Sequence, residues 1–363
     1  MKIRDVKTYR LDAALAEPFA YSQAWYDHRG ALLVEIISED GLSGWGEAFG
    51  PPALTAPIVE FYKPLLVGAD GLATELHWQN LYNRLRDHGQ KGLTVEALSA
   101  VDIALWDLKG RLLGLPVHRL MGGPLRSRVQ AYATGFYRKR DGNPLSYLVD
   151  EALQRADAGF SAIKLKLGFG IDDDIRLCRE VRRAVGDTMA IMVDANHAYD
   201  ATAAIRVGRQ IEDLDIAWFE EPVPPEDLQG YRQVKSALRI PIAGGEAEFT
   251  RWGFRSMLVD RVIDILQPDL CAARRALRMQ ENRGHGERVR GARQPACVGD
   301  RCRARGFIAA DRDTAGQPAW SSSDPAASRT RPVRASNKNG DIERTHQAPG
   351  RLGRGSDRPR SRY

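Results

Sequence analysis

Long apolar runs are missing from this chain. No segment approaches the roughly 20 residues that a membrane-spanning helix needs, and the opening Met1-Lys2-Ile3-Arg4-Asp5-Val6 has no apolar signal core. Cysteine is scarce: Cys178, Cys271, Cys297 and Cys302 are the only four, and they form neither a disulfide framework nor a zinc-ligand spacing. These absences exclude a membrane span and a disulfide-stapled secreted domain, and point to the reducing cytoplasm. A third shortage is local. Over residues 274–363, Leu, Ile, Val and Phe number only 8 of 90, too few to build a packed core. The same stretch holds 20 Arg and 1 Lys against 9 acidic residues, whereas residues 1–273 hold 32 basic and 38 acidic. The net charge of +6 therefore belongs to the tail.

What is abundant is a regular alternation in the middle of the chain. Lys164-Leu165-Lys166, Asp194, Glu220, Glu246 and Asp269 follow one another at steps of 28, 26, 26 and 23 residues. Each closes a short apolar, β-branched run, such as Ala190-Ile191-Met192-Val193-Asp194 or Ile216-Ala217-Trp218-Phe219-Glu220. Helical patterns fill the intervals at about 145–158, 172–185, 200–213, 226–238 and 250–259. A strand and a helix together need about that many residues, so the pattern reads as βα units of a parallel barrel. With a first strand at 129–134, six strands are counted up to Asp269. Such barrels keep their chemistry at the carboxyl ends of the strands, where all these charged residues fall.

Residues 1–125 read as an α+β unit. A strand is expected over 2–11, and a hairpin about the turn Glu39-Asp40-Gly41. Helices are expected at 54–66, 74–87 and 94–113. Residues 20–30, with Tyr21, Trp25 and Tyr26, read as a polar-aromatic loop between strands, either an ordinary surface loop or a lid over substrate. The chain thus divides into a cap (1–125), a partial barrel (126–273) and an Arg-rich tail (274–363).

Asp194, Glu220 and Glu246 end three consecutive strands. A single such carboxylate is more often a helix cap or an Arg partner; three at matched strand ends, with no His or Cys among them, suit a hard cation such as Mg²⁺. Lys164 and Lys166 alternate on one strand, so both point to the same side. Two ammonium groups side by side disfavour each other's charge, which is expected to lower a lysine pKa toward the range of a general base. A Lys-x-Lys on an exposed edge would be unremarkable; beside three carboxylates it suggests removal of a proton next to a substrate carboxylate.

These motifs together resemble the mandelate racemase and muconate-lactonizing branch of the enolase superfamily. The likeness runs through Lys164-Leu165-Lys166, Val193-Asp194-Ala195-Asn196, Phe219-Glu220-Glu221-Pro222, Gly244-Gly245-Glu246, Gln267-Pro268-Asp269 and the stretch from Asp102 to Gly110. Trp45-Gly46-Glu47, Leu85-Arg86-Asp87-His88-Gly89-Gln90, Ala131-Tyr132-Ala133-Thr134-Gly135 and Ala195-Asn196-His197 are similar to galactarolactone cycloisomerases, which isomerise the lactone of a sugar diacid by β-elimination. The resemblance implies an α/β fold: a modified (β/α)₇β barrel, incomplete here because its last strands are missing, under an N-terminal α+β capping domain. It implies Mg²⁺ on Asp194, Glu220 and Glu246, with Lys166 as base and Lys164 beside it. Candidate substrate contacts are Asn196, Tyr21, Trp25 and His88. The implied partner is a small sugar acid or lactone, in a homo-oligomer, with no membrane and no nucleic acid; an acid-sugar dehydratase is the alternative.

The resemblance also implies a dyad in which Asp269 orients a His one strand later, within a Pro-His-Val-Trp-Gly-Thr-Gly stretch. Position 296, where that His is due, is Ala296. The tail offers two explanations. As an Arg-rich arm it would bind nucleic acid through phosphates, but it would then have to replace two strands of a closed barrel and leave open edges. Read one nucleotide later, residues 295–301 encoded as CCC GCA TGT GTG GGG GAC CGG, with the T of Cys302, become CCG CAT GTG TGG GGG ACC GGT. That is Pro-His-Val-Trp-Gly-Thr-Gly, at the required spacing. The tail from about residue 273 therefore reads as a frameshifted translation. Losing two strands and the dyad His outweighs a total stability of roughly 5–15 kcal/mol, so low or no turnover is expected of the chain as written, and an inactive remnant or a nucleic-acid-binding hybrid is the competing class. Sequencing the gene is expected to find this motif one nucleotide out of frame; codons that cannot yield it would overturn the frameshift.

Overall fold

The computed structural model of the protein describes residues 1–124 and 126–273. The Arg-rich tail, its reading as frameshifted, and Ala296 lie outside the described residues. In chain order the cap begins with β1 (Ile3–Tyr21), β2 (Ala24–Ser38), β3 (Ser43–Ala48), α1 (Pro52–Leu66), α2 (Thr74–Leu85), α3 (Leu93–Leu112) and α4 (Val117–Leu120). There follow β4 (Ala133–Thr134), β5 (Arg138–Lys139), α5 (Pro144–Asp157), β6 (Ala162–Lys166), α6 (Ile171–Val185), β7 (Ala190–Asp194) and α7 (Ala201–Ile211). The described chain ends with β8 (Ile216–Glu220), α8 (Leu228–Ala237), β9 (Ile242–Gly244), α9 (Thr250–Val259), β10 (Ile265–Leu266) and α10 (Leu270–Ala273). None of the described helices is long and apolar enough to cross a membrane.

The cap sheet is antiparallel in the order β3-β2-β1-β5. Its β2–β3 hairpin turns at Glu39-Asp40-Gly41, with Gly41 at φ 80°, where a side chain would be strained. The expected strand over 2–11 is the first half of a much longer one, and the loop expected over 20–30 is instead a hairpin tip: Phe19 faces Tyr26, Ala20 faces Trp25 and Tyr21 faces Ala24. No alternation announced this because most of residues 9–17 are exposed on both faces. Cross-strand aromatic contacts hold the tip, with Phe19–Tyr26 and Tyr21–Tyr26 ring centroids both 5.7 Å apart.

The second sheet has six parallel strands, β10-β9-β8-β7-β6-β4, each the neighbour of the next in chain order and joined by helices. Among the described residues it is an incomplete barrel, ending at β4 and β10. The first strand is shorter than the expected 129–134. Helix starts follow local chemistry: Asn143, Asp200 and Asp227 side chains accept from Leu145, Ala203 and Gly230 amides, filling donors that the first turn leaves open. Along β6 the apolar Ile163 and Leu165 join the core shared with Leu177 and Val181 of α6, while Lys164 and Lys166 take the opposite face.

Two segments cross the boundary between cap and barrel. β5 follows the first barrel strand yet pairs with β1, Phe19 to Lys139 and Ala20 to Arg138. Phe249 and Ala272 join the cap core built on Val34, Tyr62, Leu98 and Val101, and Ser99 Oγ donates to the Ala272 carbonyl at 3.0 Å. Within the cap, α3 lies directly on β3: a Cβ at Gly46 would meet the Ala100 carbonyl at 2.0 Å, and one at Gly44 the Ala104 carbonyl at 2.1 Å. Gly46→Ala is therefore expected to lower stability by about 3 kcal/mol, read as the shift in a denaturant midpoint; an unchanged midpoint would contradict this close helix–sheet contact.

Candidate active site at the strand tips

Strand register sets the site. Lys166 is the Cα partner of Asp194, and Asp194 of Glu220, across β6, β7 and β8. Neighbouring strands lie about 4.8 Å apart, so these charged side chains leave the sheet side by side. Lys164 Nζ donates to Glu220 Oε1 at 2.6 Å and lies 3.2 Å from Asp194 Oδ2. Lys166 Nζ donates to Asp194 Oδ2 at 2.6 Å and to Asn196 Oδ1 at 2.9 Å. Trp218 Nε1 and Gln267 Nε2 complete Glu220 through its second oxygen, at 3.0 and 2.7 Å. All of these charged groups are buried. Glu246, two residues past β9, is partly buried beside them.

The electrostatics correct one expectation. Burial works to lower both lysines, and each ammonium disfavours the other, yet the carboxylates prevail: Glu220 and Asp194 raise Lys164 well above the usual lysine range, and Asp194 raises Lys166. Attraction at 2.6 Å in a buried site outweighs repulsion between the two cations. Burial would raise Asp194, but Lys166 and Lys164 hold it below the usual carboxylate range. Among the described residues no ion pair joins Glu246 to a lysine; burial, then Asp194 and Glu220, push it up to about 7. Burial followed by Glu246 raises Glu221 well above the ordinary range.

Among the described residues no group of three or more His, Cys, Asp or Glu side chains is arranged to hold a metal ion. Asp194 and Glu220 turn their oxygens onto the lysine ammonium groups instead. The donor set still fits a hard divalent cation. Asp194, Glu220, Glu221 and Glu246 gather four carboxyl groups against the two ammonium groups of Lys164 and Lys166, all of oxygen chemistry, and such an excess of buried acid favours a cation.

The hairpin tip covers this cluster. Ser22 Oγ donates to the Ala195 carbonyl at 2.9 Å, and Gln23 Nε2 to the Asn196 carbonyl at 3.0 Å. The loop it touches is strained, with Asn196 and His197 both left-handed at φ 45° and 66°, a cost that persists where the surroundings fix it. Gly168, two residues after Lys166, has φ 93°, and a Cβ there would meet Ala198 at 2.4 Å and Ser22 at 2.6 Å. Residues 20–30 therefore pack onto the loop that carries Asn196.

Tyr21 and Trp25 lie at this tip, Trp25 half exposed, and Asn196 touches Lys166. His88 stands exposed after α2, and no contact among the described residues brings it to the cluster. Three residues on, Lys91 makes the crossing, its Nζ 2.9 Å from Glu248 Oε1. Asp269 is buried, and its Oδ1 accepts from the Cys271 amide at 2.7 Å at the start of α10. Glu221, His197, Trp218 and Gln267 were not singled out as site residues. His197 Nε2 lies 3.2 Å from Glu221 Oε2; adjacency to Asn196 and Glu220 in the motifs was the available signal.

Comparison with known proteins matches these features. Residues 3–122 match the mandelate racemase/muconate lactonizing enzyme N-terminal domain, and residues 147–281 the enolase C-terminal domain-like family. D-galactarolactone cycloisomerase of Agrobacterium fabrum is 45% identical over 271 residues, 75% of this chain and 72% of that protein. The crystal structure of 3,6-anhydro-D-galactonate cycloisomerase from Zobellia galactanivorans superposes with a TM-score of 0.71 at 38% identity, covering 77% of this chain and 78% of the other. L-talarate/galactarate dehydratase from Salmonella typhimurium LT2, liganded with Mg and L-lyxarohydroxamate, gives 0.69 at 30% identity, covering 77% and 74%. An incomplete parallel barrel with paired lysines and carboxylates at its strand tips, under an antiparallel cap, thus belongs to the mandelate racemase/muconate-lactonizing branch of the enolase superfamily.

Proposed function

We propose that the site removes the proton α to the carboxylate of a sugar-acid lactone and eliminates the β-oxygen, as a galactarolactone cycloisomerase does. The observation that carries this is Lys166: its Nζ sits at the end of β6, 2.6 Å from Asp194 and 2.9 Å from Asn196, under the hairpin tip. Lys166 gives up its own proton to solvent and, as the amine, takes the α-proton; Asn196 orients its Nζ, and Lys164 holds Glu220 and Asp194 in place from the buried side. The tip strand and the Asn196 loop keep water from the reacting carbon. Asp194, Glu220 and Glu246 are the residues that would hold Mg²⁺. When bound, the ion supplies positive charge that offsets both the buried carboxylates and the charge developing on the substrate carboxylate.

Elimination breaks the α C–H bond and the β C–O bond, and the electron pair of the first forms the double bond. The proton returns when the resulting enol becomes a ketone, so a lactone is isomerised without water being consumed. A dehydratase acting on an open-chain acid sugar would use the same lysine and lose water instead; the likeness to L-talarate/galactarate dehydratase supports that second reading. With Asp269 as the only dyad member among the described residues, full turnover is expected to be slow, whereas α-proton exchange needs Lys166 alone.

Incubation with galactarolactone and MgCl₂ in D₂O is expected to give slow exchange of the α-proton by NMR. Lys166→Met should reduce it at least about a hundredfold; equal exchange by the variant would remove Lys166 from its role. MgCl₂ is expected to raise the melting temperature of the protein, and Asp194→Asn to abolish that rise. A shift that survives in the variant would place the cation elsewhere.

A further inference from the structure

A cavity of about 440 Å³ lies between the hairpin tip and the loop after β6, lined by Tyr21, Ser22, Gln23, Trp25, Arg138 and Phe169 among others. Its size is in the range of roughly 300–1,000 Å³ typical of small-molecule sites. Ser22 and Gln23 in its wall donate to the Ala195 and Asn196 carbonyls, and the Asn196 side chain accepts from Lys166, so the cavity adjoins the loop that touches the lysine.

Its cationic wall is unusual. Arg138 is on β5, paired with Ala20 of the tip, and its guanidinium stacks 4.5 Å over the Phe169 ring. Phe169 is three residues past Lys166, and its amide is fixed by Asp174 at 3.1 Å. The guanidinium is thus held against the Phe169 ring, and the ring of the adjacent Tyr137 lies 5.9 Å from Lys166 Nζ. Its Nε is buried and has no hydrogen-bond partner among the described residues. Asp174 feels its charge, but the Asp174 oxygens already accept from the Gly168, Phe169 and Gly170 amides and the Tyr199 hydroxyl. The neighbouring cations are engaged elsewhere, Lys139 with Glu17 at 2.8 Å and Arg140 over the Trp25 ring. A guanidinium that lines a cavity and is bonded to no acid among the described residues matches a ligand carboxylate.

We infer that Arg138 is the specificity-determining residue that receives the far carboxyl group of a sugar diacid, or the lactone carboxyl that becomes one. This rests on the function proposed above. In the lactone reaction the breaking C–O bond leaves its electron pair on that carboxyl oxygen, so the guanidinium meets negative charge as it forms. A sugar monoacid carries a hydroxymethyl group at that end and gains nothing from Arg138.

The test is calorimetric binding of galactarate, a six-carbon diacid, and galactonate, the corresponding monoacid, to the full chain in MgCl₂. Galactarate is expected to bind at least about tenfold more tightly. Arg138→Met is expected to erase the difference by weakening galactarate alone, and Arg138→Lys to restore part of it. Unchanged galactonate affinity is the control for folding; should Arg138→Met not fold, Arg138→Gln gives the same reading. A galactarate preference that persists without Arg138, equal weakening of both acids, or no preference in the unmodified protein overturns the assignment to Arg138 while leaving the proposed function standing. Failure of the unmodified protein to bind either acid overturns the proposed function, and the assignment with it.

Discussion

Everything at the mouth of this barrel depends on how buried charge is balanced. Three adjacent strands end in register on Lys166, Asp194 and Glu220, and Lys164 lies beneath them with no exposure to solvent. A lone ammonium or carboxylate at that depth is strongly disfavoured. The sheet tolerates four of them because each lies within hydrogen-bonding reach of an opposite charge. Trp218 and Gln267 use the remaining capacity of Glu220. This balance also decides which form each group takes: attraction keeps the lysines charged, while burial raises Glu221 and Glu246, neither of which is ion-paired to a lysine among the described residues.

The cap contributes to that balance from above. Its hairpin reaches the loop after β7 through Ser22 and Gln23, and that loop carries Asn196, which in turn binds Lys166. The left-handed backbone at Asn196 and His197 and the tight passage at Gly168 have one geometric cause: three chain segments meet within a few ångströms. A side chain at Gly168 would intrude on Ser22 and Ala198 together. The hairpin tip and Lys166 are therefore linked through Asn196.

Much of this was legible in the residues. Apolar runs ending in charge located β6 through β9 and their helices within a few positions, because burial on both faces leaves a continuous apolar signal with its polar exceptions at the tips. The hairpin tip was illegible for the opposite reason. Most of residues 9–17 are solvent-exposed on both faces, so a well-paired strand there carries no alternation at all. Side-chain placement was the other gap. Spacing could bring Asp194, Glu220 and Glu246 to one level, but not reveal that two of them would turn to the lysines. It likewise suggested that Lys164 and Lys166 lower each other's proton affinity, whereas the counter-charges packed against them dominate. His88 lay in one of the stretches that carried the resemblance, yet among the described residues the crossing from that loop to the barrel is made by Lys91.

The small strand β5 bears on how this architecture can be rearranged. It is encoded after the first barrel strand but hydrogen-bonds to the cap, while Phe249 and Ala272, encoded in the barrel, sit in the cap's core. A cut at residue 125 would therefore strip the cap sheet of its edge and its core of two wall residues. The two lobes cannot be exchanged as separate modules among related chains; residues 138–139 would have to travel with the hairpin they complete.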